Sequence, residues 1–229
     1  MQKERVVISL GGSLIVPNEI DINFLGNFRE IINKHREKYE FIIVTGGGSV
    51  ARKYIQALRE DGKSEYFQGL IGISITRMNA RFLAYLFDKD ANRGIPHSIK
   101  DIKTQLKKRN PVFCGGLKYK EKETSDATAS KIAKHLGCNF INITNVEGLY
   151  DKDPKKNKGA NLIKEISWEK FEKKANSIEY QPGQHFVLDQ KAAEIIKDNK
   201  IKTHIIGKDT ENLDKLLRHT NFKGTTIEG

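Results

Sequence analysis

Two stretches of one design decide the fold, VVISLGGS at residues 6–13 and FIIVTGGG at residues 41–48. Each is a run of apolar, mostly β-branched residues that ends in glycines. The apolar character is nearly continuous, which is typical of central strands buried on both faces of a parallel sheet. Because the carboxyl ends of parallel strands meet at one edge of a sheet, we expect the two glycine loops to lie side by side.

The rest of the chain alternates between shorter apolar runs and helical patterns. Further strands are predicted at residues 112–114, 140–143 and 204–206. Apolar residues at spacings of three and four predict helices near residues 24–32, 50–59, 75–87, 127–136 and 192–196, with caps at Asp21, Gly137 and Asp189. Strands that alternate with helices in this way indicate an α/β fold, a three-layer sandwich with a mostly parallel central sheet.

Composition excludes several classes of protein. The chain has 229 residues, of which 38% are hydrophobic and 30% charged, a profile typical of one folded domain rather than a disordered segment. No apolar run approaches the roughly 20 residues that cross a bilayer, and no signal-peptide pattern opens the sequence. Two cysteines, Cys114 and Cys138, cannot form a disulfide framework. We therefore expect a cytoplasmic protein without a membrane partner.

The net charge of +11 reflects 40 Lys and Arg against 29 Asp and Glu. A basic surplus can indicate nucleic acid binding, but here the lysines are scattered through the predicted helices instead of forming one block. Solvated lysine faces account for most of the surplus, and an acidic small molecule such as a nucleotide accounts for the rest. Nucleic acid is not expected as a partner.

The glycine loops are suited to an anion. Glycine lets successive backbone N–H groups converge on a phosphate, and a helix that starts near Val50 adds its positive end. Arg52 is placed in the first turn of that helix, where a guanidinium can bind phosphate oxygens in a forked geometry. The alternative is that the loops are tight turns only.

Two other phosphate-binding patterns fit poorly. GGGSVA at residues 46–51 matches a dinucleotide-binding fingerprint by letter, but that motif needs a second strand soon after the helix. Residues 61–65, which follow the helix, are polar and show no strand signal. The G-x-x-x-x-G-K-[ST] string of a P-loop does not occur.

Three more polar clusters sit at predicted element ends. TSD at residues 124–126 precedes a helix, and it is either a simple N-cap by Asp126 or a ligand-binding group. Residues 144–154 follow a strand and either surround a base and ribose or form an ordinary loop. Asp189 opens another helix and, taken alone, is a cap. The six histidines share no spacing typical of a metal site, so no metal site is predicted on protein ligands.

In order and spacing, these strings resemble the amino acid kinase family, and within it the archaeal uridylate kinases, over essentially the whole chain. The resemblance rests on LGGS (10–13), GGG (46–48) with ARKY (51–54), IGI (71–73) with ITR (75–77), TSDA (124–127), ITNVEGLY (143–150), DP (153–154), VLD (187–189) and GTTI (224–227).

The resemblance implies a transferase that uses ATP to phosphorylate UMP to UDP in pyrimidine nucleotide biosynthesis, with Mg²⁺ carried by the nucleotide. It implies one domain over residues 1–229, with an acceptor half of roughly residues 1–138 and an ATP-binding half of roughly residues 139–229. It also implies a homo-oligomer, specifically a homohexamer.

Residue roles follow from the same resemblance. ATP would be bound by Gly12, Ser13, Gly48, Arg52, Thr144, Asn145, Tyr150 and Asp153. UMP would be bound by Gly47, Gly69, Thr124, Ser125 and Asp126. Arg52 and Asp189 would be catalytic, the first by stabilising charge on the transferred phosphate and the second by organising the phosphate-binding groups.

The chain departs from the family pattern at three places. Ser9 stands where many members have a lysine, and Gly69 stands where the archaeal group has an acidic residue. LKYKEKE at residues 117–123 is longer and more charged than the stretch it replaces. These departures leave two alternatives open, a kinase of another small phosphate or carboxylate acceptor, and a non-catalytic nucleotide-binding regulator or storage protein.

Overall fold

The computed structural model describes residues 3–121, 123–154, 156–177 and 187–229. Over these residues, one sheet runs in the order β3-β2-β1-β4-β6-β7-β5. The strands are β1 Glu4–Leu10, β2 Tyr39–Thr45, β3 Val112–Cys114, β4 Asn139–Ile143, β5 Glu165–Ile166, β6 Thr203–Ile206 and β7 Gly224–Ile227. All neighbouring pairs are parallel except β6 with β7. The predicted α/β sandwich with a mostly parallel sheet is confirmed.

Helices cover both faces of this sheet. They are α1 Gly12–Ile15, α2 Ile22–His35, α3 Gly48–Glu60, α4 Glu65–Leu86, α5 Ile99–Leu106, α6 Ser125–Leu136, α7 Trp168–Asn176, α8 Gln190–Asp198 and α9 Thr210–Leu217. Within the described ranges, none of them is long and apolar enough to span a membrane.

Strand β1 shows why the sheet needs two covering layers. Its side chains alternate, so Val6, Ile8 and Leu10 pack with α2, α4 and α9, whereas Val7 packs with α6 and α8 on the opposite face. All four are at most 2% exposed. Burial on both faces explains the near-continuous apolar run that marked this strand in the sequence.

Predicted element ends are confirmed at three caps. Asp21 accepts a hydrogen bond from the amide of Phe24 at 3.0 Å, and Gly137 ends α6 in the left-handed region at φ 60°. Asp189 caps α8 by accepting from the amide of Ala192 at 2.9 Å. Each helix therefore begins or ends where its residue chemistry favours it.

Two predicted boundaries are wrong. Helix α4 begins at Glu65, ten residues before the predicted start, because its first turns carry exposed Tyr66 and Phe67 and show no buried apolar stripe. Helix α3 begins at Gly48, so Arg52 lies in the second turn and not in the first. The short strands β5, at one edge of the sheet, and β7, next to it, were not predicted.

The sheet order fixes where a ligand can bind. Strand β1 lies between β2 and β4, so the chain leaves β1 at a point where the sheet grows in opposite directions. In open α/β sheets, such a point forms a crevice at the carboxyl ends of the strands. The loops that begin at Gly11, Gly46, Gly115 and Thr144 follow β1, β2, β3 and β4 and lie at this edge.

Candidate active site

The two glycine loops contact each other backbone to backbone. A Cβ atom added to Gly12 would lie 2.2 Å from the backbone nitrogen of Gly48, and one added to Gly46 would lie 2.6 Å from the nitrogen of Gly12. Gly48 also has a φ of +64°, which side-chain-bearing residues rarely adopt. The close backbone contact between the loops leaves no room for a side chain, so glycine is required at these positions. The same contact brings the start of α3 beside the end of β1.

The start of α3 supplies unpaired amides and a positive dipole end. The first amide groups of a helix have no partner within it, and here they follow directly on the glycines of the second loop. Ser49 connects this turn to the end of α1 by donating to the carbonyl of Val16 at 3.1 Å. The arrangement can bind an anion.

Arg52 extends from the second turn of α3 into solvent. Its side chain is exposed, and it takes part in no hydrogen bond or ion pair with any residue that the structure describes. An unpaired guanidinium one turn beyond an anion-binding helix start is available to bind phosphate oxygens.

The start of α6 also lies at the glycine loops. A Cβ atom on Gly46 would lie 3.5 Å from the hydroxyl of Ser125, so this helix begins against the second glycine loop. Thr124 caps the helix by accepting from the amide of Ala127 at 3.1 Å. The cap predicted at Asp126 is wrong, because α6 begins one residue earlier, at Ser125, and Asp126 lies inside its first turn.

Asp189 connects α6 with α8. One of its carboxylate oxygens accepts from the amide of Ala192, and the other accepts a short hydrogen bond from the hydroxyl of Thr124. Asp189 alone was interpreted from the sequence as an ordinary cap, and its hydrogen bond to Thr124 was missed. The available signal was that two capped helices start at the same edge of the sheet.

Ser9 and Asp126 form a second buried connection. The Ser9 hydroxyl, 1% exposed, donates to the Asp126 carboxylate at 2.6 Å. Burial, and then the negative charge of Asp189, raise the pKa of Asp126 from 3.8 to about 7, although the Ser9 hydrogen bond favours the ionised form. Asp126 keeps intermediate exposure, and its carboxylate is crowded by protein atoms, which raises the pKa, without being closed off from solvent.

Residues predicted for the far end of a nucleotide lie along the sheet edge, away from the glycines. Thr144 and Asn145 follow β4, next to β1, and the amide of Thr144 donates to Ile206 at 3.0 Å. Farther on, Leu149 is held by the hydroxyl of Thr225 on β7 at 2.8 Å.

Tyr150 and Asp153 follow Leu149, so they belong to the β7 side of the crevice. Tyr150 forms an isolated bridge with Leu162. Strand β7 is three strands from β1, or about 14 Å at the usual spacing of strands. Only an extended ligand can contact both this end and the glycine loops.

Helix α4 forms another side of the crevice, against the second glycine loop. The side-chain amide of Asn79 donates to the carbonyl of Gly46 at 2.7 Å, and the hydroxyl of Thr45 donates to the carbonyl of Thr76 at 2.7 Å. A Cβ atom on Gly47 would lie 3.7 Å from the methyl group of Thr76. Thr76 and Asn79 were not predicted as site residues.

Gly69 is placed apart from the other predicted site residues. It lies just over one turn into helix α4, under the ring of Tyr119, where a Cβ atom would be 2.3 Å from Cε2. The glycine loops and the start of α6 are brought together, but Gly69 contacts the segment that follows β3. Lys122, in the charged stretch singled out in the sequence, lies outside the described residues.

Metal binding by protein side chains alone finds no support among the described residues, where no group of three or more His, Cys, Asp or Glu could hold an ion. Among the described residues, Asp126 and Asp189 offer carboxylates near the second glycine loop, through their neighbours Ser125 and Thr124. One or two carboxylates completed by phosphate oxygens are the usual ligands of a nucleotide-bound Mg²⁺.

Comparison with known proteins agrees with this geometry. The model of the amino acid kinase family matches residues 4–207. The uridylate kinase of Thermococcus sibiricus is 38% identical over 230 residues, 98% of this chain and 99% of that protein. The uridylate kinase of Thermococcus kodakarensis is 37% identical over 231 residues, with the same coverage.

Two solved structures are similar over nearly the whole chain. The crystal structure of uridylate kinase from Archaeoglobus fulgidus superposes with a TM-score of 0.85 at 34% identity and covers 97% of this chain and 99% of that one. UMP kinase from Bacillus anthracis gives a TM-score of 0.82 at 19% identity and covers 100% and 97%. The second likeness concerns the fold alone.

Proposed function

The chain belongs to the amino acid kinase family, and on that premise we propose that it is a uridylate kinase that transfers the γ-phosphoryl group of ATP to UMP. One observation carries the proposal. Two glycine loops and the starts of α3 and α6 meet at the carboxyl ends of β1 and β2, in a chain that aligns end to end with uridylate kinases.

Phosphoryl transfer requires that the two substrates be positioned and that the charge of their phosphates be neutralised. The attacking atom is already a phosphate oxygen of UMP, so no general base is required. The amides at the start of α3 and the Arg52 guanidinium are placed to stabilise charge that develops on the transferred group. Asp189 holds the starts of α6 and α8 in one position through its two hydrogen bonds.

Substrate placement follows the crevice. The phosphates of ATP occupy the glycine loops, and its adenosine end extends along the sheet edge toward β7. The ATP-contacting residues are Gly12, Ser13, Gly48, Arg52, Thr144, Asn145, Tyr150 and Asp153. UMP binds between the second glycine loop, α4 and the start of α6, near Gly47, Thr124, Ser125 and Asp126. Gly69 lies behind the ring of Tyr119 at the side of this site.

Mg²⁺ enters with ATP. Asp126 and Asp189 are the carboxylates that would complete its coordination, and the ion supplies positive charge against the triphosphate. Only the ionised carboxylate binds a cation. Protonation of Asp126 near pH 7 therefore lowers its affinity for Mg²⁺.

A homo-oligomer is part of the proposal. Five large apolar side chains on α3 and α4 are exposed, and a second copy of the chain would cover them: Tyr54, Tyr66, Phe67, Met78 and Tyr85. We place the assembly as a homohexamer in the cytoplasm, within pyrimidine nucleotide biosynthesis. Light scattering of the purified protein measures the mass, and a monomeric mass contradicts this part of the proposal.

An ADP-release assay tests the function. ATP is supplied with UMP, CMP, isopentenyl phosphate, glutamate or aspartate in turn. We expect UMP to give the highest kcat/KM, by about tenfold or more over every other acceptor. If another acceptor gives a higher kcat/KM, that acceptor is the substrate and UMP is not. If the protein binds ATP but phosphorylates none of the acceptors, the assignment as an enzyme is wrong.

A further inference from the structure

The segment that follows β3 runs along one face of α4. We call residues 115–121 the strap. The amide of Gly116 donates to the Thr76 hydroxyl at 2.9 Å, and a Cβ atom on Gly116 would lie 3.0 Å from Cγ1 of Ile73. With Gly69 under Tyr119, the contacted residues of α4 recur at spacings of three and four, so the strap follows one helix face.

Tyr119 fits a notch that only glycine leaves. A Cβ atom on Gly69 would lie 2.3 Å from Cε2 and 2.8 Å from Cδ2 of the ring, so any side chain there displaces it. The ring also packs edge to face on Tyr66, with centroids 4.9 Å apart and planes at 82°. Its neighbours Lys118 and Lys120 are exposed, so Tyr119 alone of the three is turned to the helix.

Charged groups fix the two ends of this stretch. At the first end, the Arg77 guanidinium donates to the carbonyl of Gly116 at 2.9 Å and to that of Leu117. Beyond the strap, the Glu123 carboxylate pairs with Lys131 and accepts from the hydroxyl of Thr128 at 3.1 Å. Tyr119 is therefore the contact that holds the middle of the strap to α4.

The strap leads into the proposed acceptor site. Within three residues of its end stands Thr124, which bonds to Asp189, and then Ser125, which lies beside Gly46. If the acceptor phosphate occupies the helix start and the second glycine loop, the nucleoside end extends under the strap. The position of the strap then sets the room available to that end.

We propose that Tyr119, seated on Gly69, is a positioning residue that holds the strap against α4 and thereby fixes the nucleoside end of the acceptor. The part concerning the acceptor rests on the proposed function. The part concerning the contact rests on the structure alone, so the two can be tested separately.

Limited tryptic digestion tests the contact without any activity measurement. Lys118 and Lys120 are exposed cleavage sites inside the strap. Gly69→Ala leaves the strap sequence unchanged and displaces the ring, and we expect cleavage there to become about fivefold faster. Gly72→Ala is the matched control, one turn away on the same helix, where a Cβ atom would meet only the flexible end of Ile55 at 3.3 Å. Wild-type cleavage in Gly69→Ala overturns the proposal.

Steady-state kinetics test the role in acceptor binding. We expect Gly69→Ala and Tyr119→Ala to raise KM for UMP about tenfold while KM for ATP and kcat change less than about twofold. Tyr119→Phe keeps the ring and should restore the wild-type KM. An unchanged KM for UMP, or an equal rise for ATP, contradicts the positioning role.

The ADP-release assay of the wild-type protein alone shows whether the proposed function fails. If the wild-type protein does not phosphorylate UMP, the best acceptor of the assay panel takes its place in the same KM comparison. The digestion result decides the Tyr119 contact whichever acceptor is used, so neither result depends on the other.

Discussion

The glycine loops and the strap border the same crevice, but they are held in different ways. The loops touch through backbone atoms, with Gly12 and Gly48 too close for any side chain between them. The strap is held by side chains, chiefly Arg77 at one end and Tyr119 in the middle. A backbone contact fails with almost any substitution, whereas a side-chain contact can be exchanged for another. We therefore expect changes in the loops to abolish function and changes in the strap to alter preference.

The largest effect is expected at the loop contact. Gly12→Ala places a methyl group 2.2 Å from a backbone nitrogen, and no flexible side chain can move to accept it. We expect a loss of about 3 kcal/mol in the free energy of unfolding and about a 100-fold fall in kcat. Urea denaturation and the ADP-release assay measure the two quantities.

Gly26→Ala serves as the control for this substitution. Gly26 lies inside α2, and no atom lies within 4 Å of an added Cβ. The same chemical change is expected to raise stability by about 0.5–1 kcal/mol there and to leave turnover unchanged. Normal turnover in Gly12→Ala means that the loop contact is not needed for phosphoryl transfer.

Asp189→Asn separates a cap from a charged organiser. The aspartate accepts from both Thr124 and Ala192, and asparagine keeps one acceptor while its amide group can donate to the Thr124 oxygen. We expect kcat to fall about 100-fold while Tm moves by about 2 °C or less. Asp209→Asn makes the same change at the cap of α9, where Asp209 accepts from the backbone amide of Glu211 at 2.9 Å, and should leave kcat unchanged.

The pH dependence of stability tests the buried carboxyl that faces Ser9. With its pKa raised from 3.8 to about 7, Asp126 binds a proton more tightly in the folded chain than in the unfolded one. The folded state therefore loses stability as pH rises from about 4 to about 7. Asp126→Asn removes this loss, and we expect its advantage over wild type to grow by about 1.4 kcal/mol per pH unit between about pH 5 and pH 6.

Denaturation of both proteins at pH 4, 6 and 8 measures that advantage. Ser9→Ala provides the opposite change, because it removes the hydrogen bond that favours the ionised carboxylate. Its stability should fall more steeply than that of wild type over the same pH range. Parallel pH profiles for wild type and Asp126→Asn contradict the raised pKa.

The smallest of these effects is expected at Arg52. The side chain is exposed and unpaired within the described part of the chain, so Arg52→Ala should leave Tm unchanged. We expect kcat/KM for ATP-dependent transfer to fall about tenfold, because a charge that contacts the transferred phosphate is lost. Lys53→Ala removes the next exposed cation on α3 and should keep the wild-type rate. Equal rates for the two variants exclude a specific role for Arg52.

Sequence reasoning succeeded where one segment carries its own signal. The continuous apolar run at residues 6–10 is a strand because it is buried on both faces, and Asp21, Gly137 and Asp189 act as caps through local chemistry. The start of α4 at Glu65 could not be predicted, because Tyr66 and Phe67 are half-exposed and hide the helical period.

Contacts between segments far apart in the chain could not be predicted from the sequence. Ser9 is 117 residues from Asp126, and nothing in either neighbourhood predicts that a serine hydroxyl meets that carboxylate. Gly69 and Tyr119 were noticed as two unrelated departures from a family pattern. Only the structure shows them to be one feature, a ring and the notch that receives it.

The contact between the glycine loops restricts how this molecule can evolve. Elsewhere in a protein core, a larger residue is often accommodated when its neighbour becomes smaller. Here the neighbour of Gly12 is Gly48, which is already the smallest residue, so no second substitution can compensate. Gly69 and Tyr119 differ in this respect, since a smaller side chain at 119 makes room for a larger one at 69. Paired substitutions at those two positions are thus an open evolutionary route to a new acceptor preference, whereas the glycine loops offer none.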